Sequence, residues 1–472
     1  MRFRSVLLAA AIFLTSTAFA APLDNTVEGM ISSGGAKHAV WGIYAIDAKS
    51  GAVLVDINGT RLHTPASNRK LVTAAMLCWK FQPDETVTTE LRGGALTGGA
   101  IAGDLVLRAG GDPSWTPELI GASGHTKLTA LAREAAKNGL RHVKGDLVID
   151  TGIYDVAEPI PPGWAWDNLD ASYAGKPSAL SFNENLVGVT VKPGRGSEPL
   201  DVTLAISSEA FQIINQSRTL GGGSAPTLRV NRSLDGHAVT VAGGLPQGSQ
   251  GSTVTLPTGR PIAMAAELMR KALEKEGIVI DGKTRIDRNV ERESTQLAAV
   301  TGAPVSQVLR VCMRESDNFL AESLYLLAST KRFGSAGYQG AYKMENEYWK
   351  SIGVDPMEIH AADGSGLSRE DFISPHALVT LLKANEKVDW FVDSLPVSGQ
   401  SGTLKYRLSA NGLAGRVIAK TGTLDSTSAL SGYIKCPSGK IIIFSIMANN
   451  YTCSTNTIRA KTDDIVELLA QR

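Results

Sequence analysis

The sequence predicts an α/β (α+β) protein in which one domain, carried by both ends of the chain, is interrupted by a long β-rich insert. Three observations predict it. An apolar segment, Leu71 to Phe81, reads as a buried helix directly after the string Ser67-Asn68-Arg69-Lys70. Helical texture becomes prominent again at Val305 to Arg314 and Asn318 to Ser329, on either side of Ser316-Asp317-Asn318, and in an amphipathic terminal stretch, Thr457 to Gln471. The gap from Lys70 to Ser316 is larger than many whole domains, and much of it consists of short runs of β-formers between Gly-rich turns.

The elements follow in order. Arg2 and Arg4 form a basic n-region, Val6 to Leu14 is an apolar run, and Ala18-Phe19-Ala20 places small residues at a cleavage site. Residues 1–20 are therefore expected to be a signal peptide, with an uncleaved anchor as the alternative. The run is too short to span a bilayer permanently, no later segment reaches about 18 apolar residues, and no cysteine follows the cleavage point to carry a lipid. An exported protein without a transmembrane anchor is expected. In the insert, Thr86 to Leu91, Asp104 to Arg108, Gly145 to Ile149 and Val187 to Val191 read as strands, with turns at Gly98-Gly99 and Gly221 to Gly223. A further strand is expected to begin at Ser181. Two helices stand out there, Leu128 to Asn138 and Pro261 to Glu276, the second starting on a favourable proline and stopping at Gly277. Lys440 to Asn449 reads as a strand.

Composition narrows the function classes. The 472 residues are 43% hydrophobic and 20% charged, an ordinary globular balance that supports two or three domains. With 47 basic against 46 acidic residues the formal charge is +1, so there is no broad field to attract nucleic acid or anionic lipid. Cys78, Cys312, Cys436 and Cys453 are too few for a disulfide framework. Cys78 and Cys312 read as reduced thiols within helices, and the strand between Cys436 and Cys453 holds those two apart. No Cys-x-x-Cys or His-rich cluster suggests a metal, and no cofactor is called for.

Three strings carry chemistry: Ser67-Asn68-Arg69-Lys70, Ser316-Asp317-Asn318 and Lys420-Thr421-Gly422. Each is short enough to occur by chance, and Ser-x-Asn occurs four times, beginning at Ser181, Ser316, Ser409 and Ser454. Order and context select the second. Ser454 follows Lys420, Ser181 falls on the predicted strand, and Ser409 sits in a polar loop, whereas Ser316 stands between two helices. Ser67 and Lys70, three residues apart at a helix start, share one face, so the amine reaches the hydroxyl. Unpaired first-turn N–H groups suit an oxyanion there. Lys70 acts as a base only when neutral; from an ordinary value of about 10.4, working near pH 7 requires about 4 kcal/mol against the charged form. Desolvation and a second cation, Lys420, would supply that, with Ser316 relaying a proton.

These strings are the general signature of penicillin-binding proteins and class A β-lactamases. The segment Pro65 to Thr73 resembles the nucleophile segment of the low-molecular-mass class C penicillin-binding proteins, the D-alanyl-D-alanine carboxypeptidase/endopeptidase family (serine peptidase family 13). Gly110-Gly111-Asp112-Pro113, Asp363-Gly364-Ser365-Gly366-Leu367-Ser368, Gly402-Thr403-Leu404 and Lys420-Thr421-Gly422-Thr423-Leu424 are similar to family segments, as is the long insertion. The resemblance implies a penicillin-binding/β-lactamase-like transpeptidase domain, an antiparallel sheet covered by helices, carrying two inserted β-rich domains. The expected division is 21–84 and 285–472 for the catalytic domain, 85–112 and 180–284 for inserted domain II, and 113–179 for inserted domain III.

The resemblance also implies roles. Ser67, Lys70 and Ser316 would be catalytic. The Thr423 N–H would join the Ser67 N–H in the oxyanion hole, Asn318 would hold the substrate amide, and Lys420 with Thr421 would bind the terminal carboxylate. Peptidoglycan peptides ending in D-Ala-D-Ala and β-lactams are the implied partners, and the periplasm the implied location. Gly163 to Asn168 and Tyr173 resemble a segment that recognises the free amine of the diamino-acid side chain. Counting back from Tyr173, the family acid falls at Asn168, and the nearest acids are Asp167 and Asp170; Asp167 is expected to bind that amine, with a plain exposed turn as the alternative. Asp363 to Ser368 is read as a structural turn feeding the next helix. Three rival functions fit less well. A class A β-lactamase expects a shorter gap and a deacylating glutamate motif, a class C lactamase expects Tyr-x-Asn, and an α/β-hydrolase expects Gly-x-Ser-x-Gly. A catalytically silent peptidoglycan-binding protein is the non-enzymatic alternative.

Overall fold

The computed structural model describes residues 22–290 and 295–472, and the expected signal segment lies outside them. An antiparallel five-stranded sheet joins the two ends of the chain, in the order Val417–Leu424, Thr427–Lys435, Ile441–Asn449, Val40–Asp47, Val53–Ile57. Its third strand shows how both faces are covered. Ile443 and Met447 belong to a core shared with the helices Lys70–Lys80, Asn318–Phe333 and Pro375–Asn385, whereas Ile442, Phe444, Ile446 and Ala448 pack on the C-terminal helix Thr455–Ala470. Successive side chains of a strand point to opposite faces, so a nearly unbroken apolar run serves a sheet buried on both sides.

The helix Asn318–Phe333 is buried on every side from Phe319 to Ser329, as expected of a helix in the middle of a core. It starts where the Asp317 carboxylate accepts from Leu320 N at 2.6 Å and stops at Gly334 in a left-handed conformation. The helix Lys70–Lys80 packs beside it with Lys70 to Leu77 all buried. Cys78 and Cys312 lie in helices as expected, and all four cysteines are free. The nine-residue strand Ile441–Asn449 separates Cys436 from Cys453 by about 30 Å of extended chain.

The insert is built on a second, mixed five-stranded sheet, ordered Thr284–Asp287, Leu147–Asp150, Leu105–Arg108, Thr88–Gly93, Thr295–Thr301, whose last strand comes from the stretch expected in the catalytic domain. The helices Thr126–Lys137 and Pro261–Lys275 share its apolar core. The strand Leu147–Asp150, from the stretch expected to be domain III, lies inside this sheet and pairs in parallel with Leu105–Arg108. Two three-stranded sheets drawn from residues 186–257, and a third formed by Val279–Ile280, His142–Val143 and Ala100–Ile101, complete the insert. One sequence expectation fails here, because Ser181 begins no strand. The Ser178, Ser181 and Asn185 side chains bond to one another and to nearby carbonyls, turning the chain locally where a strand would need ladder partners. Among the described residues no helix is long and apolar enough to cross a membrane.

Candidate active site

The first string folds as a single 3-10 turn, Ala66–Arg69, running into the helix Lys70–Lys80. Lys70 Nζ lies 3.0 Å from Ser67 Oγ, the contact expected of residues one turn apart. The turn is held from below and from the side. Asn68 donates to Ser431 Oγ at 2.7 Å, and Ser431 donates to Ser445 at 2.8 Å, a polar thread into the sheet. Arg69 is wholly buried: Glu345 takes two of its N–H groups at 2.6 and 2.5 Å, and the Asp363 carbonyl takes a third at 2.7 Å. Gly366 sits so close to Ala66 that a Cβ there would fall 1.9 Å from the Ala66 carbonyl oxygen.

Ser316 occupies the junction expected between two helices. It caps Val305–Glu315 with φ +61, a left-handed conformation that costs a non-glycine residue about 1–2 kcal/mol, and Asp317 at once caps the next helix. This tight junction lets Ser316 and Asn318 reach different partners. Ser316 Oγ is 2.8 Å from Lys420 Nζ, and Asn318 Oδ1 accepts from Lys70 Nζ at 2.6 Å. Asn318 Nδ2 donates to the Tyr173 carbonyl of the insert at 3.0 Å.

Lys420, Thr421 and Gly422 lie on the edge strand of the central sheet, where period-2 alternation sets Thr421 and Thr423 on one face and Lys420 and Gly422 on the other. Gly422 is required by a close approach: a Cβ would stand 2.6 Å from the Pro65 carbonyl oxygen and 3.1 Å from Ser67 N. The strand therefore passes against the nucleophile turn itself.

Both lysines are fully buried, and burial pushes both amines down from their ordinary values. The larger displacement falls on Lys420, where the Lys70 charge adds to desolvation. The sequence expectation assigned that repulsion to Lys70, where desolvation is the depressing cause and neighbouring acidic groups oppose it. Around Lys70 Nζ the contacts are Asn318 Oδ1, the Ser365 carbonyl at 2.8 Å and Ser67 Oγ. The first two can only accept, so a neutral amine keeps its two protons on them and turns its lone pair to Ser67.

Two clefts meet at Ser67 and Thr423. One, of about 460 Å³, is lined by Ser316, Thr403, Thr421 and Arg459 among others. The other, of about 340 Å³, runs along Asn168, Tyr173, Asn318, Arg369 and Asp425. Tyr173 OH donates to Asn168 Oδ1 at 2.9 Å. Asp167 is exposed in the turn Trp166–Asn168 and lines neither cleft; its neighbour Asn168 is the residue brought to the wall. Sequence reasoning missed Ser365, Arg369, Asp425 and Arg459. The Asp363 to Ser368 segment is a turn as expected, wound around the Asp363 carboxylate, which accepts from Ser365, Gly366 and Ser368 N–H groups, but it also delivers the Ser365 carbonyl to Lys70. A backbone acceptor leaves no signal in residue type.

The sequence and the fold both have parallels among known proteins. The chain is 31% identical over 448 residues to the D-alanyl-D-alanine carboxypeptidase of Actinomadura sp. (strain R39), covering 91% of this chain and 81% of that protein. Its fold matches the crystal structure of penicillin binding protein 4 (dacB) from Haemophilus influenzae with a TM-score of 0.82 at 22% identity, covering 95% of this chain and 99% of the other. The same protein complexed with a novel β-lactam matches with a TM-score of 0.77 at 21% identity, over 95% and 99% of the two chains. The model of the D-Ala-D-Ala carboxypeptidase 3 (S13) family matches residues 23–472, nearly the whole chain, and the protein belongs to that family.

Proposed function

We propose that the protein is a serine-type D-Ala-D-Ala carboxypeptidase and D-alanyl endopeptidase acting on peptidoglycan stem peptides through an acyl-enzyme on Ser67. The observation that carries this reading is the set of partners around Lys70, which leaves the amine lone pair directed at the Ser67 hydroxyl. Lys70 takes the Ser67 proton as Oγ attacks the penultimate D-alanyl carbonyl. The Ser67 and Thr423 N–H groups receive the oxyanion, with Gly422 allowing the strand to come close enough. As the C–N bond breaks, Ser316 gives its proton to the leaving amine and recovers one from the lysine pair through Lys420. Water activated by Lys70 then cleaves the ester and returns the proton to Ser67. A leaving group consisting of free D-alanine gives carboxypeptidase action, and a D-alanyl cross-link gives endopeptidase action.

Asn318 and the edge strand hold the peptide, with the carboxylate beside Thr421. In the second cleft Asp425 is the lining carboxylate, and Asp167 lies just outside. The free side-chain amine goes to one of them. Asp425→Asn and Asp167→Ala, assayed on peptides with and without that amine, separate the two, because only the recognising residue loses activity selectively. β-Lactams acylate Ser67 as substrate mimics. The reading further places the protein in the periplasm after removal of residues 1–20, which the N-terminal mass of the exported protein tests.

The deciding experiment is incubation of the mature protein and Ser67→Ala with a fluorescent penicillin, followed by intact mass. A long-lived adduct on the wild type alone supports the acyl-enzyme reading. Rapid loss of the adduct makes the protein a β-lactamase, and no adduct makes it a silent binding protein.

A further inference from the structure

We infer that Arg459, near the start of the C-terminal helix, is the cation that binds the substrate's terminal carboxylate; this rests on the acyl-enzyme reading of Ser67. The carboxylate of a D-Ala-D-Ala peptide must lie in the leaving-group cleft beside Thr421 and Thr423, and a charge has to meet it there. Lys420 is poorly placed to do so. Its Nζ is wholly buried, its contacts go to Ser316 Oγ at 2.8 Å and the Thr421 carbonyl at 2.9 Å, and burial beside Lys70 favours its neutral form. A lysine that serves a proton relay cannot also be a permanent charge.

Two arginines line the same cleft. Arg407 is committed elsewhere, since Nε donates to both Asp463 oxygens at 2.9 and 3.1 Å and Nη2 lies 2.7 Å from Oδ1. Arg459 has no carboxylate partner among the described residues. Its Nη2 donates to Thr423 Oγ1 at 3.1 Å, which sets the guanidinium beside the residue that also borders the oxyanion position. A guanidinium offers a planar fork matched to a carboxylate and keeps its charge whatever the lysines do. The C-terminal helix thus contributes to a site whose three catalytic strings all lie elsewhere.

The test compares wild type, Arg459→Ala and Arg459→Lys in the rate of Ser67 acylation by benzylpenicillin and by its methyl ester, which lacks the negative charge. Wild type should favour the free acid strongly. Arg459→Ala should lose roughly 10- to 100-fold on the acid and change less than about twofold on the ester, with Arg459→Lys recovering part of the loss. An unchanged rate on the acid, or equal losses on acid and ester in both variants, overturns the assignment. Ester acylation at the wild-type rate serves as the check on folding. Failure of the wild type to be acylated by either compound overturns the acyl-enzyme reading, and with it this one.

Discussion

Asn318 ties Lys70 to the insert: its Oδ1 accepts from Lys70 Nζ at 2.6 Å, while its Nδ2 donates to the Tyr173 carbonyl at 3.0 Å. The amide has only one workable orientation, since an amine donates and a carbonyl accepts. The last residue of the second string thus fixes where the lone pair of Lys70 points.

Asn318→Asp replaces that neutral acceptor with a carboxylate, which favours the ammonium form of Lys70. The sign is a rise in the lysine's value, so the neutral base appears at higher pH. Acylation by a fluorescent penicillin should fall roughly 10- to 1000-fold at pH 7 and recover toward pH 9 or 10. A uniform loss at every pH would show that Asn318 acts only on the substrate.

Gly422→Ala places a methyl group against the Pro65 carbonyl and the Ser67 N–H, both backbone atoms of the nucleophile turn. The edge strand must move away and carry the Thr423 N–H with it. Acylation should slow by about 100-fold, the scale of losing one oxyanion donor, while the melting temperature shifts by only a few degrees. Wild-type acylation in this variant would show that the approach is not needed.

Glu345→Ala leaves the Arg69 guanidinium buried with its bidentate partner removed. Glu345 is held well ionised by Arg69 despite its burial, and it also receives Tyr325 OH at 2.6 Å and Trp349 Nε1 at 2.9 Å. The expected cost is about 3–5 kcal/mol in denaturant unfolding. The double variant Arg69→Met/Glu345→Leu should be more stable than Glu345→Ala, and the opposite order would mean that the pair is not coupled.

Glu184 makes stability depend on pH. It is pushed from 4.5 up to about 8, by burial first, then by Asp317 and Glu118, and it hydrogen-bonds Asp317, whose own carboxyl also feels Lys70. With the folded value raised, the native state keeps a proton that the unfolded chain releases. Its contribution is complete below about pH 4.5 and is lost as pH rises to about 8. Glu184→Gln should therefore flatten the decline of unfolding free energy between pH 5 and 8, and identical slopes would refute the assignment.

Local pattern made much of this protein legible. Apolar periodicity located the helices Lys70–Lys80, Val305–Glu315 and Asn318–Phe333 to within a few residues, because each buries a face that the sequence must supply. Three-residue spacing was enough to put Ser67 and Lys70 in contact, since helical geometry is set by the backbone. Other relationships depended on where distant segments come together. Whether Asp167 or Asn168 reaches the cleft is decided by how the Trp166–Asn168 turn sits, and adjacent residues of a turn point in different directions. The Ser365 carbonyl on Lys70, the Arg459 guanidinium on Thr423 and the passage of Gly422 over Ser67 join segments separated by tens to hundreds of residues. Backbone groups and lone arginines carry no pattern of their own. Sequence alone determined that Ser67 and Lys70 meet, through spacing within a single element, while the tertiary structure decided which charges and carbonyls surround them, through packing between elements.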